Sequence, residues 1–306
     1  MHYTDWGKRS RTRAIICAHG YSGNARDFDA LAAALAPDVR VICIDVAGRG
    51  DSEWLASPFR YHFPQFIADI NALIAHLGLR EVDWVGTSMG GLLGLMLAAQ
   101  PASPVRRLVM NDIGAYVPLD ALQAIARNLD GPTRFASLEE VETHLRHTHR
   151  EWGEITDEQW KALAVHGSRP DGDGLRLAYD PQIASVMRTL PFATGLMFWS
   201  SWARVKCPVL LLRGEHSRIF PESVAASMLD AKGSAQFVQI PDCGHAPSLM
   251  AESQVALLRE YLRTGSFDTP WLRHPSSFSP ASSKTPRSSP RKPGNSPRPR
   301  PAASPT

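Results

Sequence analysis

Ser88 is the residue best suited to chemistry, because it lies at the centre of a G-x-S-x-G motif, residues 86–90. An apolar, strand-like run (82–85) precedes the motif, and a helix-forming run (91–99) follows it. A serine in a tight turn between a strand and a helix is typical of a nucleophile elbow, in which the hydroxyl stands clear of the backbone. The helix N-terminus beside it favours developing negative charge. We therefore predict that Ser88 is a nucleophile.

His245 is the predicted general base for this nucleophile. It lies in the segment D-C-G-H-A-P, residues 242–247, directly after the apolar run 236–240. Of the eleven histidines, it alone follows a late strand in a turn flanked by glycine. Loops at the carboxyl edge of a parallel sheet lie on the ligand side, so an imidazole there can take the serine proton. Of the other histidines, one is predicted to be structural, His19, and three to be solvated: His144, His147 and His149.

The elements that position these residues alternate between strand and helix over residues 1–115. Apolar runs predict the strands, at 14–18, 39–46, 82–85 and 108–110, and helical stretches lie between them. This alternation predicts βαβ units and a mostly parallel sheet, and uninterrupted apolar runs fit strands that are covered on both faces. The strand pattern returns after residue 203. We therefore predict an α/β fold with a core built from residues 1–115 and 204–265.

Two further segments depart from this pattern. Residues 116–203 have helical periodicity and contain four tryptophans, which indicates a helical cap inserted into the core. Residues 266–306 hold ten prolines, many serines, and seven Lys or Arg against one Asp, a net charge of +6. Such a composition buries too little apolar surface to offset the entropy of ordering. We predict a disordered tail there and interpret it as dispensable rather than as a nucleic-acid tether.

Together the motifs resemble those of the α/β-hydrolase superfamily across residues 1–265. The loop His19-Gly20-Tyr21, the serine elbow and the late Gly244-His245 occur in the order of that family. The chain is most similar to small bacterial carboxylesterases and lactonases, which are related to C–C bond hydrolases of aromatic degradation. The resemblance implies an α/β-hydrolase fold, with a mostly parallel sheet flanked by helices and an inserted helical cap. In this architecture the backbone N–H groups of Tyr21 and Met89 form the oxyanion hole.

The acid that orients the histidine departs from the family pattern. The family places it after the strand that corresponds here to residues 209–212. This chain has the run G-E-H-S-R-I at residues 214–219. Neither Ser217 nor Arg218 in that run is an anion that can orient an imidazole, so the usual acid is missing.

Two other carboxylates could complete a triad. Asp112 follows the preceding strand at the carboxyl edge of the sheet, and the chain order Ser88, Asp112, His245 still fits an α/β-hydrolase. Glu215 is the alternative acid, on the expected loop but earlier than usual. We rank Asp112 first, with the reservation that its carboxylate could serve only to hold its loop by binding backbone N–H groups.

The predicted reaction is acyl transfer to water: a serine hydrolase cleaves a small to medium carboxylic ester or lactone through an acyl-enzyme. Aromatic residues are predicted to line the substrate pocket: Tyr179, Phe198, Trp199 and Trp202. One rival function is C–C bond hydrolysis, whose anionic substrates call for a cation in the pocket, drawn from Arg49, Arg188 or Arg218. A second rival is a non-catalytic ligand-binding scaffold, motivated by the missing acid.

No cofactor and no metal are predicted. The chain has no G-x-G-x-x-G after a strand, no Walker A motif and no Cys/His cluster at zinc spacing. The expected partner is a small ester-like molecule, with no nucleic acid and no membrane, and a homodimer stays open. No secretory signal is visible, no apolar run reaches 18 residues, and the four cysteines fit reduced thiols. A cytoplasmic location is therefore expected.

Overall fold

A computed structural model describes residues 1–9, 12–129, 131–189 and 195–266, with only the backbone for 188 and 189. The strands, in chain order, are β1 (Tyr3–Trp6), β2 (Arg13–Ala18), β3 (Arg40–Ile44), β4 (Glu81–Thr87), β5 (Val105–Asn111), β6 (Tyr116–Val117), β7 (Arg134–Phe135), β8 (Ser168–Asp171), β9 (Gly174–Leu177), β10 (Leu196–Met197), β11 (Val209–Gly214) and β12 (Gln236–Ile240). The helices are α1 (Asp29–Leu35), α2 (Phe63–His76), α3 (Met89–Ala98), α4 (Leu119–Asn128), α5 (Leu138–Thr148), α6 (Asp157–His166), α7 (Gln182–Thr189), α8 (Trp199–Arg204), α9 (Glu222–Ala231) and α10 (Glu252–Thr264). Short 3₁₀ helices cover Ala25–Phe28 and Pro58–Arg60.

Within these ranges, seven strands form the central sheet in the order β1-β3-β2-β4-β5-β11-β12. Strand β1 is antiparallel to β3, and the other neighbouring strands of this sheet are parallel. The predicted α/β class with a mostly parallel sheet is confirmed. Because β5 lies between β4 and β11, the loops that follow these three strands meet at one edge of the sheet.

Apolar side chains bury both faces of the sheet. Helices α2, α3, α8 and α9 contribute to the core on one face, and α1 and α10 contribute to the core on the other. All residues of β3 and β11 are buried, as expected for strands covered on both sides. Trp84 of β4 is fully buried, and its indole N–H donates a hydrogen bond to the Gly90 carbonyl at 2.9 Å. This bond ties the core to the turn that carries Ser88.

The segment between β5 and β11 contains helices α4 to α8, together with strands that the sequence pattern did not predict. In the described residues, β7, β9 and β8 form one small antiparallel sheet, and β10 pairs with β6. These strands are two to four residues long and include charged side chains. They therefore lack the alternating apolar pattern by which a strand is detected in a sequence.

Helix α10 is the last element in the described part of the chain. Helix α10 ends at Gly265, and the predicted disordered tail (266–306) lies outside the described residues, apart from Ser266. No helix in the described part of the chain is long and apolar enough to cross a membrane. The four cysteines all lie in described segments and are free thiols.

The close packing of α3 on β4 gives a test of this core. A Cβ atom added at Gly94 would overlap the rigid indole of Trp84. We expect Gly94→Ala to lower the free energy of unfolding by about 1–3 kcal/mol, since overpacking outweighs the better helix propensity of alanine. Urea unfolding followed by circular dichroism measures this change. Gly233→Ala is the matched control, because a Cβ there meets no atom within 4 Å; equal stability of the two variants would contradict the packing described.

Candidate active site

Ser88 lies in the turn between β4 and α3, where its backbone has a positive φ of 52° and a ψ of −115°. A positive φ is uncommon for a non-glycine residue and costs free energy, which surrounding contacts must offset. The Ser88 N–H donates to the Asn111 carbonyl at 2.9 Å, which holds the turn against β5. A Cβ atom at Gly90 would overlap the Ala18 carbonyl. The last glycine of the motif therefore permits the close approach of α3 to the end of β2.

Three side chains form a continuous hydrogen-bonded chain at the edge of the sheet. The Ser88 Oγ lies 2.9 Å from His245 Nε2, and His245 Nδ1 lies 2.8 Å from an Asp112 oxygen, Oδ2. Ser88 is 8% exposed and Asp112 is fully buried. Because an ionised carboxylate only accepts, Nδ1 carries the proton and Nε2 presents a lone pair to the Ser88 hydroxyl. This is the geometry that a serine nucleophile and its base require.

Asp112 is held by more than the histidine. Its Oδ1 accepts from the Gly214 N–H at 2.8 Å, and its Oδ2 accepts from the Ser217 hydroxyl at 2.6 Å. Both donors lie at the end of β11 or in the loop that follows, next to β5 in the sheet. The buried carboxylate thus has donors on both oxygens, which a buried charge needs. Asp112 thus binds the end of β11 and also contacts the imidazole, and its role as the acid stays a prediction.

Glu215, the alternative acid, does not reach the histidine. Its Oε2 accepts instead from the Asp242 N–H at 3.2 Å. The backbone of Glu215 pairs with the end of β12, because its N–H donates to the Ile240 carbonyl at 2.9 Å. The Glu215 carboxylate thus contacts the Asp242 backbone and not His245, and the geometry favours Asp112 of the two candidate acids.

Ser217 and Asn111 support the site and were missed by the sequence reasoning. Ser217 occupies the loop from which the family acid usually comes, and here its hydroxyl donates to the Asp112 carboxylate. The Asn111 amide donates to the Thr87 hydroxyl at 3.0 Å and to the Pro247 carbonyl at 2.8 Å, so it joins the serine turn to the histidine loop. In the sequence, Asn111 could have been recognised as a supporting residue only because it directly precedes Asp112.

The predicted oxyanion-hole groups lie on either side of the nucleophile. Met89 begins α3 directly after Ser88, and a Cβ built on Gly20 would lie 3.7 Å from the Ser88 Cβ, which brings the Tyr21 loop close. In the described part of the chain, neither the Tyr21 nor the Met89 N–H has a hydrogen-bond partner in the protein. The Tyr21 carbonyl and hydroxyl are both engaged, the carbonyl by the Arg49 Nε at 2.8 Å and the hydroxyl by the Ile183 carbonyl at 2.9 Å.

His19 holds the same loop and has the structural role expected of it. Its Nδ1–H donates to the Gly20 carbonyl at 2.6 Å, and its Nε2 accepts from the Val46 N–H at 3.0 Å. Burial lowers the pKa of His19 to about 4, so the ring is neutral at pH 7. A neutral ring with both nitrogens occupied is not available as a base.

A cavity of about 180 Å³ opens over Ser88 and His245. The segment between β5 and β11 provides most of its apolar wall: Ile125, Leu129, Leu145, Trp152, Trp160, Leu163 and Leu177. The core provides the floor through the loop at residues 20–24, the serine turn and the loop at 245–248. The arrangement suits a small, partly apolar substrate whose carbonyl reaches the serine.

The predicted pocket residues divide into one that lines this cavity and three that do not. Tyr179 lines it. Trp202 is buried in the main core, where its indole N–H donates to the Met228 carbonyl at 3.2 Å. Phe198 packs edge-on against Phe63, with ring centroids 5.7 Å apart, and Trp199 packs on the same core. These three aromatic residues belong to the region that joins α8 to the sheet, so their assignment to the pocket was wrong.

Two of the histidines predicted to be solvated, His144 and His149, line the cavity instead. The third, His147, is exposed. The helical spacing of these residues was visible in the sequence, but the direction of the helix was not. The face of α5 that meets the core is decided by tertiary packing.

One further group has the residue types of a metal site. His2, Asp45 and Asp51 can bring ligand atoms within 4.8 Å of one another. The Asp45 oxygens already accept from the Ala25 N–H at 2.7 Å, from the Asp51 N–H at 3.0 Å and from the His2 ring at 2.6 Å. This carboxylate therefore organises its loop.

Fold and site define a class of protein, and comparison with known proteins agrees. The sequence model of the α/β hydrolase fold family matches residues 13–250, so this chain belongs to that family, and the resemblance found in the sequence is confirmed. It is similar to a 3-hydroxybutyrate-oligomer hydrolase from Cupriavidus necator, at 40% identity over 269 residues, or 85% of this chain and 92% of that protein.

The structure of this chain is also similar to solved structures of hydrolases. A proposed hydrolase from Rickettsia typhi has a TM-score of 0.81 at 30% identity, and the match covers 86% of this chain and 91% of that one. An α/β hydrolase from Novosphingobium aromaticivorans has a TM-score of 0.76 at 31% identity, with coverage of 86% and 93%.

The identity of the acid can be tested by covalent labelling of Ser88 with a fluorophosphonate. We expect Asp112→Asn to slow labelling by about 10³–10⁴-fold, because the amide no longer stabilises the correct tautomer and the imidazolium. Glu215→Gln is the matched control and should label within about twofold of the wild-type rate, since its carboxylate binds elsewhere. A slow Glu215→Gln together with a fast Asp112→Asn would contradict the geometry.

The support from Ser217 can be tested separately. Ser217→Ala removes one donor from the buried Asp112 carboxylate, and we expect labelling to slow by about tenfold or more, in line with about 1.5–3 kcal/mol for a hydrogen bond to a charged group. Ser227→Ala, on the exposed side of α9, is the control. Equal labelling rates in the two variants would mean that Ser217 does not position the acid.

Proposed function

We propose that this protein is a serine hydrolase of short-chain carboxylic esters, and that short oligoesters of 3-hydroxy acids are its substrate class. The observation that carries the proposal is the hydrogen-bonded chain from Ser88 through His245 to Asp112 at the floor of a partly apolar cavity. A serine with such partners is activated for attack on a carbonyl.

In the first half of the proposed reaction, His245 Nε2 accepts the Ser88 hydroxyl proton as Oγ bonds to the ester carbonyl carbon. The carbonyl oxygen becomes an oxyanion, which the N–H groups of Tyr21 and Met89 stabilise. Asp112 stays ionised and stabilises the imidazolium. The tetrahedral intermediate then expels the alcohol, which takes the proton from His245, and an acyl-enzyme remains on Ser88.

In the second half, water replaces the alcohol. His245 Nε2 accepts a proton from the water as its oxygen bonds to the acyl carbon. Collapse of the second tetrahedral intermediate breaks the bond to Ser88, and His245 returns the proton to Oγ. The carboxylic acid leaves, and the site is restored without any cofactor in these steps.

Charge in the cavity favours neutral esters over the anionic substrates of C–C bond hydrolysis. The described residues that line the cavity include neither Lys nor Arg. Arg49 is fully buried, donates to the Tyr21 and Ala47 carbonyls at 2.8 and 2.9 Å, and is not among the residues that line the cavity. Arg218 is exposed on the loop after β11, and the Arg188 side chain lies outside the described residues. The C–C rival therefore lacks a cation in the described part of the site.

The second rival, a non-catalytic ligand-binding scaffold, also loses the observation that motivated it. It rested on the missing acid after β11, and Asp112 supplies a carboxylate from the neighbouring strand end. The similarity to the Cupriavidus necator protein, over 92% of that protein's length, supports the choice of hydroxyacid oligoesters among neutral esters.

Ester hydrolysis can be measured with p-nitrophenyl esters from acetate to decanoate and with linear dimers and trimers of 3-hydroxybutyrate. We expect turnover of the short p-nitrophenyl esters and of the oligomers, and a decline with longer chains because the cavity is small. Ser88→Ala should lose about 10⁶-fold in kcat, or fall to the assay background. Ser227→Ala controls for expression and folding. Wild-type protein as inactive as Ser88→Ala on every ester would rule out this function.

A further inference from the structure

His149 lies on the cap side of the cavity, directly after α5, and the proposed mechanism does not use it. Its ring packs edge-on against Trp152, with centroids 4.2 Å apart, and both residues line the cavity. Burial, together with the smaller effects of His144 and His245, lowers the pKa of His149 to about 4, although the hydrogen bond to the Leu145 carbonyl opposes this shift. The imidazole is therefore neutral at pH 7, with one nitrogen protonated and the other an acceptor.

The hydrogen bonds of His149 decide which nitrogen is the acceptor. Nδ1 lies 3.2 Å from the Leu145 carbonyl and 2.9 Å from the Thr148 Oγ1. A carbonyl only accepts, so Nδ1 must carry the hydrogen. The Thr148 hydroxyl can accept from Nδ1–H while it donates to the His144 carbonyl at 2.9 Å. The network thus assigns the lone pair to Nε2.

This leaves His149 Nε2 without a donor in the described part of the chain, on a ring that lines the substrate cavity. An acceptor that borders the cavity without a donor from the protein is available to a donor group of a ligand. A carboxylate does not fit it, because two acceptors repel and the described lining includes neither Lys nor Arg. A hydroxyl group is the neutral donor that a hydroxyacid ester carries.

Two other polar residues of the cavity, Asp27 and His144, have different surroundings. Asp27 lines the cavity, but its Oδ2 accepts from the Asn24 N–H at 3.2 Å as part of the cap of the 3₁₀ helix at Ala25–Phe28. The His144 ring is tilted against Phe135, with centroids 5.1 Å apart. His149 differs from both, because its own hydrogen bonds leave a defined lone pair on Nε2 at the cavity.

We infer that His149 Nε2 accepts a hydrogen bond from the free hydroxyl of a hydroxyacyl ester, so that the site recognises the hydroxyl end of an oligoester. The inference rests on the proposed ester hydrolysis. The hydroxyl end of such an oligomer is on the acyl side of its ester bond, so the unit bound by His149 is transferred to Ser88. The carboxyl end leaves as the alcohol product and needs no cation.

The test compares ethyl esters of one and two 3-hydroxybutyrate units with matched esters whose terminal hydroxyl is methylated. The ether keeps the oxygen but cannot donate. We expect wild-type kcat/KM, normalised to alkaline hydrolysis, to be about tenfold or more higher for the hydroxyl esters. In His149→Phe, which keeps a ring against Trp152, the ratio should fall to about one. In His149→Gln, whose amide oxygen can accept, part of the preference should return.

The matched control is His147→Phe, on the exposed part of α5, which should keep the wild-type ratio. Because each variant is judged by a ratio of two substrates, a partly folded sample does not alter the conclusion. If wild type hydrolyses both esters equally, or if His149→Phe keeps the preference, the hydroxyl inference is overturned while ester hydrolysis stands. If wild type hydrolyses neither ester, the proposed function fails.

Discussion

The buried carboxylate of Asp112 is the interaction on which the rest of the site depends. An ionised carboxylate removed from water is stable only when donors surround it, and this one accepts from the Gly214 N–H, the Ser217 hydroxyl and His245. Those donors come from the end of β11, the loop after it and the loop after β12. One charge therefore sets the relative positions of three segments, and the orientation of the base follows from it.

The segment that covers the cavity is joined to the same loops. The Gly244 N–H donates to the Glu151 carbonyl at 2.7 Å, and the Ser248 N–H donates to the Trp152 carbonyl at 3.1 Å. The cavity wall and the histidine loop are thus held together by backbone bonds that do not depend on side-chain identity. A substrate that contacts Trp152 or its neighbours also contacts the structure that positions His245, which links binding in the cap to the geometry of the base.

Sequence patterns predicted the sheet class, the serine turn and the histidine loop because each is local. A strand, a G-x-S-x-G turn and a helix are adjacent in the chain, and the apolar runs of buried parallel strands need no long-range information. The small antiparallel sheets of the cap were not predicted, because their strands are too short to show the alternation of apolar and polar residues that marks a strand. The aromatic residues at Phe198, Trp199 and Trp202 were misassigned because composition cannot tell a pocket wall from a core.

The sequence by itself determined the family and the nucleophile turn, and it limited the candidate acids to two residues, Asp112 and Glu215. Only the tertiary structure decided between those acids, because the direction of each carboxylate depends on pairing with strands far away in the chain. It also decided that His149 borders the cavity with its Nε2 lone pair unused. Helical spacing is written in the sequence, whereas the face that a helix turns to its neighbours is set by the packing of the whole domain.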